Sequence, residues 1–340
     1  MYSRDNKNPQ NMGKVELTNL SVIRRSIQSK ELSEQAKDIL LSSWREKTTK
    51  QYECYLRKWE TFCGRREVDP FSTTVNNVLE FLTFLYQSGI GYSGINTARS
   101  ALSSVVTLVD AVHYPVGQHP LIKRFLKGVF NKKPSFPRYS EIWDVSVVFN
   151  WMKTIDFDNM CLKLLTLKTT MLLALLSGQR IQTLKTLSLK NLKLTDFQVE
   201  FRIDSLLKQS RPGFHLPAYE DRSLCIVKHL RKYIDMTREI RSTDSLLISY
   251  QKPHAPVSCD TIARWLKSVL HRSGVDINVY TAHSTRAAST SCAVSMGCPI
   301  DNIMAQVGWS KETTFAKYYN KKFTVENISL GQTLLKCVDK

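Results

Sequence analysis

Apolar residues recur every three or four positions along most of the first third of the chain, the spacing of helices that bury one face. A helix is predicted after Thr48 or Thr49 and another after Thr73 or Thr74, because threonine can cap a helix start. Two more are predicted, from about Ser93 and over residues 120–130. These elements predict a helical bundle over residues 31–135. The second of these helices is expected to bury Val78, Leu79, Phe81, Leu82 and Phe84.

Two stretches lack this periodicity. Residues 1–30 are polar and rich in Asn, Lys and Ser, and most of them are predicted to form a flexible N-terminal arm. The stretch that begins at Lys127, KGVFNKKPSFPRYSEIWDV, combines prolines with several cations, which is typical of an extended linker between domains. The alternative interpretation of this stretch is a solvated, charged connection that binds no partner.

The second domain is predicted over residues 136–325. The pattern predicts strands at 198–203 and 214–219, joined by a turn at Arg211-Pro212-Gly213, and residues 326–340 as a C-terminal tail. The fold class is therefore mainly α with a small antiparallel sheet. Helices are predicted at 143–155, 160–177, 221–239 and 258–273.

The charge balance indicates a polyanionic partner. Lys and Arg outnumber Asp and Glu by 48 to 30, so the formal net charge is +18, which favours nucleic acid. The longest apolar run, Met171–Leu176, is far shorter than the ~20 residues of a membrane span. The eight cysteines form no CxxC pair and are interpreted as buried thiols. Candidate DNA-binding residues are Lys50, Arg57, Arg99, Lys132, Lys133 and Arg211.

Two cations stand near predicted element ends. Arg180 follows a long apolar helix and a glycine, where a guanidinium is rigidly placed and can bind two phosphate oxygens. Lys208 lies after the first predicted strand, where an ammonium can donate a proton to a ligand. Each has an alternative reading: Arg180 can simply cap a helix end, and Lys208 can be a solvated loop residue.

The stretch 280–321 carries the remaining candidates. His283 and Arg286 lie three residues apart, so one helical turn presents a proton carrier and a permanent cation on one face. Trp309 offers an indole N–H, although a buried tryptophan at a helix start is an equal alternative. Tyr318 and Tyr319 are adjacent, and a phenol needs a positive site to lose its proton near neutral pH.

Taken in order, Arg180, Lys208, His283, Arg286, Trp309 and a tyrosine resemble the tyrosine recombinase (phage-integrase type) family over about residues 30–323. The segments SGQRIQTL, LLKQSRPG and VGWSKETTFAKYY are most similar to recombinases of DIRS- and Ngaro-type retrotransposons. The resemblance implies a helical core-binding domain followed by a tyrosine-recombinase catalytic domain.

The resemblance also implies a role for each residue. Tyr319, or Tyr318, attacks the scissile phosphate and forms a 3′-phosphotyrosine, while Lys208 protonates the departing 5′-oxygen. Arg180 and Arg286 neutralise the non-bridging oxygens. His283 moves a proton, and Trp309 stands where many members have a second histidine. No metal and no nucleotide cofactor is implied.

Two positions depart from the family pattern. Thr183 occupies the position at which many members carry an acidic residue. The spacing of bacterial-type members, with the tyrosine nine residues after the His/Trp position, selects Tyr318. The retrotransposon-type pattern, TF followed by three residues and Tyr, selects Tyr319, which is the preferred nucleophile.

The function implied is that of a site-specific DNA recombinase or integrase, serving the integration of a mobile element. Its partners would be double-stranded DNA and further copies of the chain, as a tetramer on two DNA sites, without a membrane. The location would be the nucleus in a eukaryote and otherwise the cytoplasm. The alternatives are a catalytically inactive DNA-binding protein derived from such an element and a type IB-like topoisomerase.

Overall fold

The computed structural model describes residues 21–111, 113–134, 139, 141–203 and 213–309, and the backbone of 322–323. The chain separates into two compact units, Met1–Phe136 and Pro137–Lys340. This division falls one residue from the predicted boundary. Each unit has its own apolar core. The predicted fold class, mainly α with a small antiparallel sheet, is confirmed.

The first unit is built of helices around the ring of Trp59. This indole is fully buried, lies edge-on to Phe81 at 5.2 Å between ring centres, and donates to the Pro70 carbonyl at 2.8 Å. Two short strands, β1 (Ser72–Thr73) and β2 (Thr107–Leu108), pair in parallel. The helices are α1 Val22–Gln28, α2 Glu34–Ser42, α3 Glu46–Gly64, α4 Val75–Gln87, α5 Tyr92–Leu102 and α6 Pro120–Lys132, with a 3₁₀ turn at Val116–Gln118.

The ends of α4 follow the sequence, whereas α3 begins at Glu46, before the predicted cap residues Thr48 and Thr49. The hydroxyl of Thr74 caps α4 by accepting from the Asn77 amide, and Gly89 takes a positive φ of 85° just after the helix. The burial expected for Phe84 is wrong: 43% of its surface is exposed, and its ring lies beside Phe62 at the surface. Helix periodicity alone does not say which edge of an apolar face the neighbouring helix covers.

Helix α1 lies within the stretch predicted as a flexible arm. Val22, Ile23 and Ile27 are buried in the core of the first unit, so that core begins well before residue 31. A seven-residue helix contributes too few apolar positions to produce a visible period, which explains the difference. Residues 1–20 lie outside the described part of the chain.

The second unit packs helices around α8, which is buried on nearly every side. Helices α10, α11 and α12 contact it. A helix that is apolar all round belongs in the centre of a domain. The elements are β3 Glu141–Ile142, α7 Val145–Lys153, α8 Leu162–Ser177, α9 Ile181–Thr186, β4 Leu192–Leu194, β5 Gln198–Arg202, β6 Gly213–Pro217, α10 Ile226–Thr237, α11 Cys259–Arg272, α12 Ser284–Ser295, α13 Ile300–Val307 and β7 Lys322–Phe323, with a 3₁₀ turn at Leu189–Asn191.

The sheet of the second unit has three antiparallel strands in the order β4, β5, β6. Val199 and Phe201 face the core, opposite Leu216 and Phe214 respectively. Strands β5 and β6 agree with the predicted pair, whereas β4 is missing from the prediction because three residues are too few to show alternation. Separately, β7 pairs in parallel with β3.

The thiols are less buried than expected. Cys63 and Cys225 are buried, but Cys54, Cys161 and Cys298 are exposed. Burial raises the pKa of the Cys63 thiol to about 12, so this thiol stays protonated. Cys337 lies outside the described residues.

Two basic side chains of the second unit are buried: Lys168 on α8 and His229 on α10. The Nζ of Lys168 donates to the Met152 carbonyl at 2.8 Å, and burial lowers the pKa of Lys168 to about 8. The imidazole of His229 packs edge-on against Phe157 at 4.8 Å between ring centres. Burial, with Lys168 and Lys232 acting in the same direction, lowers the pKa of His229 to about 4 although the Cys225 carbonyl 2.8 Å from Nδ1 favours its charged form.

Acidification is therefore expected to destabilise the second unit through His229. Its folded pKa of about 4 lies below the ordinary value of 6.5, so the unfolded chain binds more protons between these two values. Stability falls as the pH falls through that window, by on the order of 3 kcal/mol. Urea unfolding at several pH values should show a shallower fall for His229→Gln. An equal pH dependence in both proteins would contradict this role.

Candidate active site

Arg180 is held at a sharp junction between α8 and α9. Gly178 ends α8 with a φ of +60°, and its N–H donates to the Ala174 carbonyl at 3.1 Å. The Ser177 hydroxyl accepts from the Gln179 amide at 3.2 Å, which tightens the same turn. Arg180 is the extended residue that precedes α9, and it is half-buried. The junction therefore fixes the backbone of Arg180, while the rigid placement of its guanidinium stays a prediction.

The start of α12 places His283 and Arg286. His283 is the residue before the helix and keeps helical dihedral angles, so the three-residue spacing does put it one turn from Arg286. The Trp143 indole donates to the Ser284 hydroxyl at 2.9 Å, and that hydroxyl donates to the Thr281 carbonyl at 2.6 Å. These bonds fix the helix start, and with it the backbone of His283.

Arg286 is almost completely buried, with 2% of its surface exposed. Its Nη2 donates to the Val307 carbonyl at 3.2 Å, near the carboxyl end of α13. Its guanidinium carbon also lies 4.6 Å from the centre of the Trp309 ring, at the distance of a cation–π contact. The partial negative charge of a helix end and an aromatic face thus compensate the buried charge without neutralising it.

Trp309 lies just beyond the carboxyl end of α13. Gly308 ends α13 with a φ of 74°, and the Trp309 amide donates back to the Met304 carbonyl at 3.0 Å. The indole is buried with Ile303 and Val307 in a small apolar cluster. The ring is therefore both packed and in contact with Arg286.

The electrostatics link three of these residues. The protein atoms packed around the imidazole, followed by the positive charges of Arg286 and Arg180, lower the pKa of His283 below its ordinary value. His283 itself remains at the surface. The two arginines thus place positive charge near His283 and favour its neutral form, a combination suited to attracting a phosphate and accepting a proton.

Four of the predicted site residues lie outside the described part of the chain: Lys208, Arg211, Tyr318 and Tyr319. Thr183, at the position that is acidic in many relatives, is buried in the first turn of α9.

Trp143 supports the site but is absent from the sequence prediction. The Ser284 that it contacts is 141 residues further along the chain. No local pattern signals such a contact.

The candidate DNA-binding residues of the first unit differ in availability. Lys50 and Arg57 are exposed on α3 and pair within the helix, Lys50 with Glu46 at 2.7 Å. Lys132 and Lys133 are exposed, and the Lys133 Nζ is 3.3 Å from the Gly89 carbonyl. Arg99 is half-buried and donates to the Gly117 carbonyl and to the Asn96 side chain, so its guanidinium is already engaged inside the unit.

Two further properties concern the described residues alone. In them, no group of three His, Cys, Asp or Glu side chains is placed to hold a metal ion. Among the helices that the structure describes, none combines the length and the apolarity needed to cross a membrane.

Residues 151–324 match the sequence pattern of the phage integrase family, slightly more than half of the chain. The chain belongs to this family, the tyrosine recombinases. No curated protein matches the chain in sequence.

Solved structures of DNA-bound recombinases share its fold at low identity. The Tn1549 transposon integrase in complex with transposon right end DNA is 11% identical, covers 94% of this chain and 99% of its own, and has a TM-score of 0.58. XerH recombinase bound to palindromic difH substrate is 14% identical, covers 78% and 74%, and has a TM-score of 0.56. A lambda integrase dimer bound to a COC′ core site is 16% identical, covers 96% and 84%, and has a TM-score of 0.53.

The junction at Gly178 yields a stability prediction. A Cβ at this position would lie 3.0 Å from the Val307 side chain, whereas a Cβ at Gly274, which also has a positive φ, meets nothing within 4 Å. Gly178→Ala is expected to destabilise by the roughly 1–2 kcal/mol of left-handed strain plus the cost of the contact, and Gly274→Ala by the strain alone. Thermal unfolding should show the larger drop for Gly178→Ala. Equal drops would mean that the α8 end and α13 are not tightly packed.

Proposed function

We propose that the protein is a DNA strand recombinase that cleaves and rejoins DNA through a 3′-phosphotyrosine. The observation that carries this proposal is the meeting of Arg180, His283, Arg286 and Trp309 at one cationic site. These residues come from two segments about a hundred positions apart, and a family member without catalysis has no need to hold them together.

Arg286 is the group best suited to charge stabilisation. Its guanidinium is fixed by the Val307 carbonyl and the Trp309 ring, so little reorganisation is required when negative charge develops on the phosphate. Arg180 approaches from the α8–α9 junction and would bind the other non-bridging oxygen. Trp309 would donate its indole N–H but, unlike a histidine, cannot exchange a proton.

The proposed chemistry balances without a cofactor. The tyrosine oxygen attacks phosphorus, its proton passes to neutral His283, and the bond to the 5′-oxygen breaks. Lys208 donates a proton to that departing oxygen. The enzyme then holds the 3′-phosphate as a phosphotyrosine ester, and attack by a 5′-hydroxyl reverses the same steps. A lowered pKa of His283 suits the role of proton acceptor.

Tyr319 is the proposed nucleophile, with Tyr318 as the alternative. Strand β7 begins three residues after Tyr319 and pairs with β3, next to Trp143, which fixes the start of α12. Both tyrosines are thus close in sequence to a strand of the second unit. The retrotransposon-type spacing of the motif selects Tyr319.

The wider biological role follows from resemblance. The motifs that resemble DIRS- and Ngaro-type recombinases support integration of a mobile element, with double-stranded DNA as the substrate and a tetramer on two DNA sites as the assembly. Location would then be nuclear in a eukaryotic host. The net charge of +18 supports the DNA partner.

Replacing the nucleophile is the direct test. On a nicked or suicide DNA substrate, Tyr319→Phe should abolish the covalent protein–DNA adduct, because phenylalanine lacks the attacking oxygen. Tyr318→Phe should retain it, and denaturing gel electrophoresis measures both. Loss only in Tyr318→Phe would move the assignment to that residue. Adduct formation by both single variants would overturn the mechanism.

Conservative changes of the buried arginine test charge stabilisation. Arg286→Lys keeps the charge but loses the fixed planar fork, so the adduct rate should fall by about 100-fold or more at saturating DNA. Arg238→Lys changes an exposed arginine that pairs locally with Asp235 and serves as the control. A rate for Arg286→Lys close to that of the unmodified protein would contradict the proposed role.

The two rivals predict different products. A type IB-like topoisomerase would relax supercoiled plasmid without a specific site, and a DNA-binding relic would form no adduct on any substrate. Assays on plasmid and on paired target sites therefore separate the three readings.

A further inference from the structure

The last carbonyl groups of α8 and α13 accept hydrogen bonds from side chains outside these two helices, which hold the two carboxyl ends in place. The final carbonyls of a helix have no partner within it. Here side chains from elsewhere supply the donors: the Ser289 hydroxyl donates to the Leu175 carbonyl, and Arg286 donates to the Val307 carbonyl. Ser289 and Arg286 both belong to α12. The end of α8, which precedes Arg180, and the end of α13, which precedes Trp309, are therefore bound to the same helix.

Two glutamines make this attachment reciprocal. The side-chain amide of Gln179 donates through Nε2 to the backbone carbonyl of Gln306 at 2.7 Å. The side-chain amide of Gln306 in turn donates through Nε2 to the backbone carbonyl of Leu176 at 3.1 Å. Gln179 is the residue immediately before Arg180, and Gln306 lies three residues before Trp309. Two bonds in opposite directions fix both the separation and the orientation of the segments, which a single bond would not.

The packing of α13 explains why such bonds matter. Its apolar residues belong to a small cluster of Ile303, Val307 and Trp309, separate from the main core of the second unit. At the α8 end, the Val307 side chain lies opposite Gly178. An element with so little shared core depends on directional bonds to hold its position.

We propose that Gln179 and Gln306 are positioning residues that hold Arg180 at a fixed distance from Arg286 and Trp309, so that the two arginines bind one phosphate together. The inference rests on the proposed function, since it assigns these residues to the same site. Neither glutamine touches DNA in this role. Each acts through the arginine and the tryptophan that it fixes.

Gln179→Met and Gln306→Met test the proposal, because methionine keeps the length of the side chain and removes the donor. Each variant should reduce the rate of adduct formation at saturating DNA by about fivefold to tenfold, the effect of one lost hydrogen bond. DNA affinity should stay unchanged. Asn302→Ala changes an exposed side chain on the same helix and should leave both quantities unaltered. Unchanged rates in both methionine variants would overturn the proposal.

A neutral substrate distinguishes positioning from general loosening. Replacing one non-bridging oxygen of the scissile phosphate by a methyl group removes the charge that the arginines must meet together. The rate deficit of the methionine variants should shrink on this methylphosphonate DNA. A deficit of the same size on both substrates would mean that the glutamines act on overall structure rather than through Arg180, and would overturn the proposal.

One measurement is independent of activity. Because Arg180 contributes to the lowered pKa of His283, a displaced Arg180 should allow that pKa to rise towards its ordinary value. NMR titration of the free protein, with His283→Gln to assign the signal, should show this rise in both methionine variants but not in Asn302→Ala. An unmoved pKa would count against the proposal. If the unmodified protein forms no adduct, the proposed function fails, and the titration still decides whether the glutamines place Arg180.

Discussion

The second unit buries a permanent positive charge, and the packing around that charge constrains the rest of the unit. The guanidinium of Arg286 has only 2% of its residue surface exposed, and an isolated cation in such a place is costly. The protein compensates with dipoles and an aromatic face: the Val307 carbonyl at the end of α13 and the ring of Trp309. Both contacts come from the segment at the carboxyl end of α13, so the position of this helix end and of Trp309 determines how they offset the charge of Arg286.

The same requirement explains how the two halves of the site are related. Helix α8 runs through the centre of the unit and ends just before Arg180, while α12 lies against it and begins just after His283. The packing of α8 against α12 therefore sets the distance between Arg180 and His283, and hydrogen bonds at the helix ends adjust this distance. Residues far from any substrate, such as Trp143, contribute by fixing a helix start. Small errors in these contacts would matter, since transition-state stabilisation depends on pre-set geometry.

Whether a feature of this structure can be predicted from the sequence depends on how far apart along the chain the residues that form it lie. Helices α3 to α8, α10 and α11 and strands β5 and β6 follow from periodicity. The ordered set Arg180, Lys208, His283, Arg286, Trp309 and a tyrosine indicates the family without any geometry. Helix α1 and strand β4 were missed because seven and three residues carry too little pattern. The contacts of Trp143 with Ser284 and of Gln179 with Gln306 span 141 and 127 residues. Such contacts arise from tertiary packing, and no local signal announces them.

The pairing of β3 with β7 connects the two ends of the catalytic unit. Glu141 and Ile142 follow the stretch between the units, and Lys322 and Phe323 follow the stretch that contains Tyr318 and Tyr319. Because the two strands share backbone hydrogen bonds, a force or displacement applied at residues 141–142 acts directly on residues 322–323. These two segments of the second unit, about 180 residues apart in sequence, are thus coupled through backbone hydrogen bonds and not only through side-chain packing in the apolar core.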